Sequence, residues 1–225
     1  LSYLFDIYLS KINAQRNFLT FAVYSTMFPY TSAGPIIRYA DIEEQLTHRS
    51  LNVSRFGLGA ELFVKGLAKK VLLADNLSAL YAGICGHSQM SVFTAWIGIL
   101  AYTMQLYFDF SGYSDMAIGL GKMLGFDFNK NFDYPYISTS VSEFWRRWHI
   151  SLGSWFRDYI YIPLGGNRVS TLKHVRNILI VWALTGLWHG ASWNFVLWGV
   201  YYGFFLLLEK FVLQGVLERM PSWLR

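Results

Sequence analysis

Two histidines, His149 and His189, are the residues of this sequence best suited to do chemistry. They stand 40 residues apart, each within an apolar stretch rich in aromatic residues. His189 belongs to a run long enough to lie in a bilayer, where an ionisable group is costly and is therefore a functional candidate. Gly186 and Gly190 flank it four residues apart, so on a helix they share a face and let a second helix come close. We expect this imidazole to face protein or a cavity. A histidine that only packs is the alternative for both positions.

The chemistry open to such a pair is proton transfer. One histidine can act as a general base toward a hydroxyl group, because burial keeps its pKa near neutral. The other histidine, or an aspartate, can orient it or hold the donor. Asp109 and Asp115 stand among apolar residues, where they either orient a catalytic group, line a polar cavity or cap a helix. Two scattered histidines and distant carboxylates are too few to predict a metal site. Phosphate-loop, zinc-protease and serine-hydrolase motifs do not occur.

The composition predicts a membrane protein. Of the 225 residues, 54% are hydrophobic, 19% aromatic and only 15% charged, whereas soluble domains usually carry about a quarter charged residues. The net charge of +5 is modest, and its basic residues flank apolar segments, which indicates cytoplasmic anchors rather than a nucleic-acid-binding surface. The single cysteine, Cys85, excludes an internal disulfide. Because the chain starts at Leu1 without a methionine, we expect it to be a fragment of a longer membrane protein.

In the first half of the chain, hydrophobic patterns predict spanning, broken and interfacial segments. Residues 18–37 are expected to form a broken or re-entrant segment, because prolines and a Gly-Pro pair interrupt them. Residues 56–73 carry apolar side chains at helical spacing together with three lysines, which predicts an amphipathic helix at the cytoplasmic interface. Residues 75–91 are expected to be a loop, and residues 92–108 form the clearest spanning helix.

In the second half, a helix with one aromatic face is predicted. The motif Ser140-Val-Ser-Glu143 matches a capping box. From Trp145 to Tyr159, apolar and aromatic residues recur at the spacing of one helix face, and His149 lies on that face. Arg146 lies off it and is expected to point toward water or anionic headgroups.

Residues 177–211 are almost uncharged. This stretch is too long for one straight membrane span and too short for two full ones. We expect a bend near Gly186, Gly190 and Ser192, followed by a crossing from Trp193 to Leu208. His174, in the polar and basic segment before this stretch, is expected to be exposed.

Three function classes fit these residues. The first is an enzyme that uses the two histidines in group transfer to a hydroxyl. The second is a transporter or channel in which histidine and aspartate form a proton relay, a class that broken segments also suit. The third is a structural subunit without chemistry. Inverted repeats would favour the transporter, and none is visible in the sequence.

Five stretches of the chain resemble one family, the membrane-bound O-acyltransferases (MBOAT). They are Ala33-Gly-Pro-Ile-Ile-Arg38, Gln105-Leu-Tyr-Phe-Asp-Phe-Ser-Gly-Tyr-Ser-Asp115, Ser142-Glu-Phe-Trp-Arg-Arg-Trp-His-Ile-Ser-Leu152, Trp155-Phe-Arg-Asp-Tyr-Ile-Tyr-Ile-Pro-Leu-Gly-Gly-Asn-Arg168 and Gly186-Leu-Trp-His-Gly-Ala-Ser-Trp193. The resemblance covers nearly the whole chain and follows the expected order. The run from Tyr161 to Arg168 makes it most similar to the bacterial polysaccharide O-acetyltransferase branch, which includes the alginate O-acetylation subunit. The branch that transfers D-alanine to teichoic acid is the second choice.

The resemblance implies an all-α, multi-pass membrane fold in which residues 1–225 form a single domain of tilted helices around a tunnel. It implies that His189 is the catalytic histidine and that His149 is the second signature position of the site. Residues expected to line the tunnel for substrate or donor are Asp109, Asp115, Trp145, Arg146 and Trp188.

The resemblance also implies substrates and a location. Acetyl-CoA is the expected acyl donor, reaching the protein from the cytoplasm, and no bound cofactor or metal is expected. The acetyl group is expected to pass to an exported polysaccharide or to a periplasmic or extracellular partner acyltransferase. The location implied is the bacterial cytoplasmic membrane.

Overall fold

A computed structural model of the chain describes residues 1–31, 34–87, 89–217 and 219–220. These residues form helices joined by turns and loops, and no strand occurs among them, which confirms the all-α class. They divide into two compact units, Leu1–Asn131 and Phe132–Arg225. The helices of the first unit are α1 (Ser2–Tyr8), α2 (Phe18–Thr26), α3 (Phe28–Thr31), α4 (Tyr39–Thr47), α5 (Val53–Ala68), α6 (Asp75–Cys85) and α7 (Val92–Met123). The helices of the second unit are α8 (Val141–Arg147), α9 (Ile150–Phe156), α10 (Thr171–His189), α11 (Trp193–Leu208) and α12 (Gln214–Leu217).

Side-chain caps begin several of these helices, because the first N–H groups of a helix have no partner within it. Asn52 accepts from the third residue of α5, and Ser91 does the same for α7. The Ser140 hydroxyl accepts from the N–H of Glu143 at 3.0 Å, as the capping box predicts. The reciprocal bond is displaced by one residue, because the Glu143 carboxylate accepts from the N–H of Thr139.

The first unit is built on the antiparallel pair α5 and α7. Gly59 faces Gly119 and Gly66 faces Gly112, and a Cβ at any of these positions would lie 2.5–2.7 Å from the carbonyl oxygen of the opposite glycine. Helices can approach this closely only where both faces lack side chains. The two backbones are therefore in direct contact at two points seven residues apart.

The prediction of a loop for residues 75–91 is wrong over most of that range. A π-helical segment, Lys69–Ala74, carries α5 directly into α6, which ends at Cys85. Tyr81 of α6 packs its ring against Tyr102 of α7 at 4.9 Å. Packing against a neighbouring helix thus stabilises a segment that was predicted to be a loop.

The structure bears differently on the two membrane segments predicted for residues 18–37 and 92–108. Residues 18–37 are broken as predicted, because α2 and α3 are short helices, while Ser32 and Ala33 lie outside the described residues. Residues 92–108 are helical within α7. Among the described residues, however, the one stretch long and apolar enough to cross a membrane is Trp193–Leu217. A multi-pass arrangement around a tunnel therefore stays a prediction.

The second unit is built on an antiparallel hairpin of α10 and α11. The chain turns at Gly190–Ser192, where the sequence predicts a bend. A Cβ on Gly186 would lie 2.9 Å from the Phe195 carbonyl carbon, and one on Gly199 would lie 3.1 Å from the Trp182 carbonyl carbon. The predicted close approach of a second helix at Gly186 is confirmed.

Candidate active site

A cavity of about 430 Å³ lies within the second unit, and both His149 and His189 line it. Its walls come from α8, α9, the turn of π-helix after α9, the inner face of α10 and the end of α11. The two histidines that the sequence places 40 residues apart therefore contribute to one site. A pair of imidazoles on a shared cavity can receive and return a proton beside a bound reactant.

His149 stands at a break between two helices, which corrects the single continuous helix predicted for this region. α8 ends at Arg147, Trp148 is extended, and His149 has a φ of +45° before α9 begins at Ile150. Left-handed backbone at a residue with a Cβ costs about 1–2 kcal/mol. Such conformations persist only where the surroundings impose them, and they cluster at functional sites.

The His149 side chain is buried, with 5% of the residue exposed. Its Nδ1 lies 3.5 Å from the Ser151 hydroxyl, and its ring meets the edge of Trp188 with centroids 6.0 Å apart. The helices beside it have seven residues each, too short to cross a bilayer. Burial first, and then the nearby His189 imidazole, hold the pKa of His149 well below its ordinary value. This imidazole is therefore neutral near pH 7.

His189 is the last residue of α10, beside the turn of the hairpin. Its ring packs edge-on against Trp198, with centroids 5.0 Å apart, and against Trp188 at 4.9 Å. The residue is exposed, and no hydrogen bond holds its imidazole within the described part of the chain. An accessible imidazole with a lone pair left unengaged can take a proton from an incoming group.

The other predicted site residues of the second unit occupy different positions. Trp145 and Arg146 line the cavity. Trp145 packs within 4.7–5.9 Å of the rings of Trp182, Tyr202 and Trp198, and its buried Nε1 has no partner among the described residues. Trp188 is not part of the cavity wall. Its ring packs against both histidine rings, and the residue is 54% exposed.

Asp109 and Asp115 lie on α7, in the first unit, and each is paired with a lysine of the π-helical segment. Asp115 contacts Lys69 at 2.5 Å, and Asp109 contacts Lys70 at 2.8 Å. Their carboxylates thus hold α7 to the helix beside it. Their predicted contribution to a substrate tunnel stays a prediction.

One residue that matters for the site was not foreseen. Glu209, in the π-helical segment Glu209–Leu213 that follows α11, is buried. Its carboxylate accepts from the N–H groups of Val141 at 2.5 Å and Ser142 at 3.2 Å, so it caps α8 from 68 residues away. A negative charge at a helix N-terminus is favourable. Glu209 therefore fixes the helix that leads into His149. Apart from Lys210 it is the one charged residue of the apolar stretch Trp193–Leu217, and this is the signal that could have found it.

The sequence-based prediction for His174 is wrong. It was expected to be exposed but is 6% exposed and lines the same cavity. Lys210 and Tyr161, which also line it, supply its hydrogen-bond partners. The spacing of His174 and His189 on α10, fifteen residues or about four helical turns, is the signal that would have shown them on one face.

Comparison with known proteins gives consistent results. The sequence pattern of the MBOAT, membrane-bound O-acyltransferase family, matches residues 11–223. A protein of Azotobacter vinelandii named probable alginate O-acetylase AlgI is 49% identical over 210 residues, which cover 93% of this chain and 42% of that protein. A Helicobacter pylori peptidoglycan O-acetyltransferase is 42% identical over 86% of this chain and 38% of that protein. A Streptococcus thermophilus teichoic acid D-alanyltransferase is 28% identical over 85% of this chain and 49% of that protein. This chain thus spans about two fifths of the length of its more similar relatives.

Proposed function

Because this chain belongs to the membrane-bound O-acyltransferase family, we propose that its full-length protein is an O-acetyltransferase of the bacterial cytoplasmic membrane. The acetyl group comes from acetyl-CoA on the cytoplasmic side. It passes to a hydroxyl of an exported polysaccharide, or to a partner acyltransferase outside the membrane. Identities of 42–49% to proteins named for alginate and peptidoglycan O-acetylation support acetyl transfer over D-alanyl transfer, whose named relative is 28% identical.

One observation carries the proposal: His149 and His189, from different segments of the chain, line one cavity. His189 is the general base, because its imidazole is accessible and no hydrogen bond within the described residues engages it. His149 is buried and neutral, held in place by its backbone, and it positions the acceptor hydroxyl or the thioester carbonyl through a ring nitrogen. Arg146, on the cavity wall, attracts the phosphates of the donor.

In the proposed reaction, His189 takes the proton of the acceptor hydroxyl while the hydroxyl oxygen bonds to the thioester carbonyl carbon. The carbon–sulfur bond then breaks, and the sulfur leaves with the electron pair. The imidazolium returns the proton to the sulfur, so the products are an acetyl ester and a free thiol. General base catalysis of this kind contributes about 10²- to 10⁴-fold to the rate.

The proposal includes a multi-pass arrangement. Trp193–Leu217 is apolar and long enough to span a bilayer, and α10 runs antiparallel to it with basic residues at its start. By the positive-inside rule, the end of the hairpin with Lys173, Arg176 and Lys210 lies toward the cytoplasm. His189, at the hairpin turn, then lies at the opposite end of these helices, away from the cytoplasm, where transfer to an outside acceptor avoids moving the large charged CoA across the bilayer.

The test uses the full-length protein in membranes with radiolabelled acetyl-CoA and its exported glycan or partner protein. Variants His189→Ala and His149→Ala are compared with His87→Ala, a matched control because His87 is an exposed histidine of the first unit. We expect label on the acceptor with wild type and His87→Ala, and a loss of at least about 10²-fold with His189→Ala. Equal labelling by His189→Ala would remove that residue from the chemistry. No labelling by wild type would overturn acetyl transfer and favour D-alanyl transfer or a proton-coupled transporter.

A further inference from the structure

The segment of residues 132–137 is fastened to the end of α8 through Arg147. The N–H of Asp133 donates to the Arg147 carbonyl at 2.9 Å, and the Arg147 guanidinium donates back to the Asp133 carbonyl at 3.1 Å. Two nitrogens of the same guanidinium contact the Glu143 carboxylate, one helical turn earlier, at 2.9 and 2.8 Å. We call Arg147, Asp133 and Glu143 the Arg147 clamp. It joins the segment to α8 two residues before His149.

The same segment holds the ring of Trp148, the residue directly before His149. Phe132 meets this ring edge-on with centroids 5.0 Å apart, and Tyr136 meets it at 6.3 Å. Phe144 of α8 stacks on it at 5.7 Å. Aromatic pairs in these arrangements add stability beyond the area that they bury. The two residues that precede His149 are therefore both fixed, one by polar contacts and one by ring contacts.

These contacts precede the left-handed backbone of His149, with φ +45° and ψ +55°. A residue with a Cβ favours right-handed over left-handed helical backbone by about 5- to 30-fold. Such a conformation persists only where the surrounding structure imposes it. On the far side of His149, the Gly153 N–H donates to the His149 carbonyl at 3.1 Å and begins α9. The chain is thus held on both sides of the unfavourable residue.

Arg147 has no direct access to the reactants. Its neighbours Arg146 and Trp148 line the cavity that contains the two histidines, whereas Arg147 does not. Its guanidinium instead contacts Glu143 and Asp133. An effect of Arg147 on the chemistry must therefore act through the placement of His149.

We propose that Arg147 is a positioning residue, which holds the His149 imidazole in place by clamping residues 132–137 to the end of α8. The role rests on the proposed function, in which His149 positions a reactant. Loosening the clamp lets His149 relax toward right-handed backbone, and the change of backbone angles turns its side chain away from the reactant. A misplacement of about 1 Å can cost about 10²-fold in rate. Binding of the donor is unaffected, because Arg147 does not line the cavity.

The first test is the variant Arg147→Lys in the full-length protein in membranes. Lysine keeps the charge but lacks the planar fork that reaches the Glu143 carboxylate and the Asp133 carbonyl together. We expect kcat for acetyl transfer to fall by about 10- to 100-fold, while KM for acetyl-CoA stays within about twofold. A loss of stability alone would lower the amount of folded protein and would leave kcat per folded molecule unchanged.

Arg55→Lys is the matched control. Arg55, in the first unit, also bonds to a carboxylate and to a carbonyl, those of Asp127 at 2.6 Å and Gly125 at 3.1 Å, and it does not line the histidine cavity. Its substitution removes the same kind of contact and should leave kcat unchanged.

A second pair of variants tests the ring contacts and serves if Arg147→Lys fails to insert. Phe132→Leu weakens the hold on Trp148 and should lower kcat in the same way. Phe128→Leu is its control, because Phe128 is equally buried and meets Tyr30 edge-on at 5.6 Å, within the first unit. It should leave kcat unchanged.

A further readout needs neither donor nor acceptor. Diethyl pyrocarbonate modifies accessible neutral imidazoles, and mass spectrometry gives the rate at each histidine. We expect His149 in wild type to react at least about tenfold more slowly than His87, which is exposed, because a buried group reacts only after local opening. Arg147→Lys should speed the reaction of His149 about tenfold, within the range set by the backbone preference. Arg55→Lys should leave it unchanged.

Three outcomes would overturn the proposal: an equal loss of kcat in Arg147→Lys and Arg55→Lys, a raised KM at unchanged kcat, and a reactivity of His149 that does not respond to Arg147→Lys. The failure of the proposed function looks different. A wild type that transfers no acetyl group would refute that function. Faster modification of His149 in Arg147→Lys would still support the clamp.

Discussion

Substituting Gly186 by alanine tests whether the α10–α11 hairpin determines the geometry of the active site. The added Cβ would lie 2.9 Å from the Phe195 carbonyl carbon and 3.1 Å from the Val196 Cα. Its nearest neighbour, the Phe195 carbonyl oxygen, would be closer still, and an ordinary contact is 3.4–4 Å, so the helices must separate by about 1 Å or more. A gap of that size forfeits about half or more of the dispersion energy of the contacts it opens. We expect a loss of about 1–3 kcal/mol in stability, as for other overpacked sites.

The same displacement of the helices should also lower the rate of acetyl transfer. Trp198 of α11 packs on the His189 ring at 5.0 Å, so separating the helices removes the support of the imidazole. A misplacement of about 1 Å can cost about 10²-fold in rate. We therefore expect Gly186→Ala to lower the thermal midpoint by several degrees and to reduce acetyl transfer by about 10- to 100-fold.

The assay combines intrinsic tryptophan fluorescence during heating with acetyl transfer by the full-length protein. Gly215→Ala is the matched control, because a Cβ at Gly215, in α12, meets nothing within 4 Å. That substitution should leave the midpoint unchanged or raise it slightly, since alanine favours helix over glycine. If Gly186→Ala matched Gly215→Ala in both readouts, the hairpin would not hold His189 in the way argued above.

Three further predictions concern the helices around His149. Glu209→Gln removes the charge that caps α8 and should cost about 1–2 kcal/mol. We expect this variant to have a lower thermal midpoint and reduced acetyl transfer. An unchanged midpoint would contradict the role of Glu209 as a cap. His149→Asn should fold as well as wild type and His149→Val should not, because asparagine tolerates left-handed backbone and a β-branched residue does not. Equal midpoints for the two variants would refute this. The pKa of Glu143 is lowered to about 2, first by the Thr139 N–H and then by Arg147. The stability that Glu143 adds is therefore complete above its ordinary value of 4.5 and is lost as the pH falls through about 2. Glu143→Gln should lower the midpoint at pH 7 and have no effect near pH 2, and equal shifts at both values would contradict the assignment.

The hairpin could be predicted from the sequence because its signals are local. Gly186 lies where α11 packs against α10, Gly190 ends α10, and the uncharged run between the basic residues and Glu209 sets the length of the two helices. The turn at Gly190–Ser192 and the helix Trp193–Leu208 follow from this pattern. The cap at Ser140 is equally local. It needs only a hydroxyl group three residues before the N–H group that donates a hydrogen bond to it.

The break at His149 could not be predicted because the aromatic periodicity continues through it. Periodicity reports which side chains face the same way, and it does not detect a left-handed residue between two short helices. The position of α8 before the break also involves Glu209, which caps this helix from a distant segment. The burial of His174 likewise depends on Tyr161 and Lys210, which come from two other elements. Contacts of this range leave no local pattern.

The glycines of the hairpin also decide how the cavity can change its size. Along α10 and α11, backbone meets backbone at Gly186 and Gly199, so this wall cannot yield without losing its contacts. The opposite wall consists of two seven-residue helices joined through Trp148 and His149, where a change of a few backbone angles moves a whole helix. The α8–α9 wall is held by side-chain contacts such as the Glu209 cap, so it is the wall that can move with the smaller loss of contacts. In the proposed function His149 positions the reactant, and it is also the joint between the two helices of this wall, so a movement of the wall would change the alignment of the imidazole.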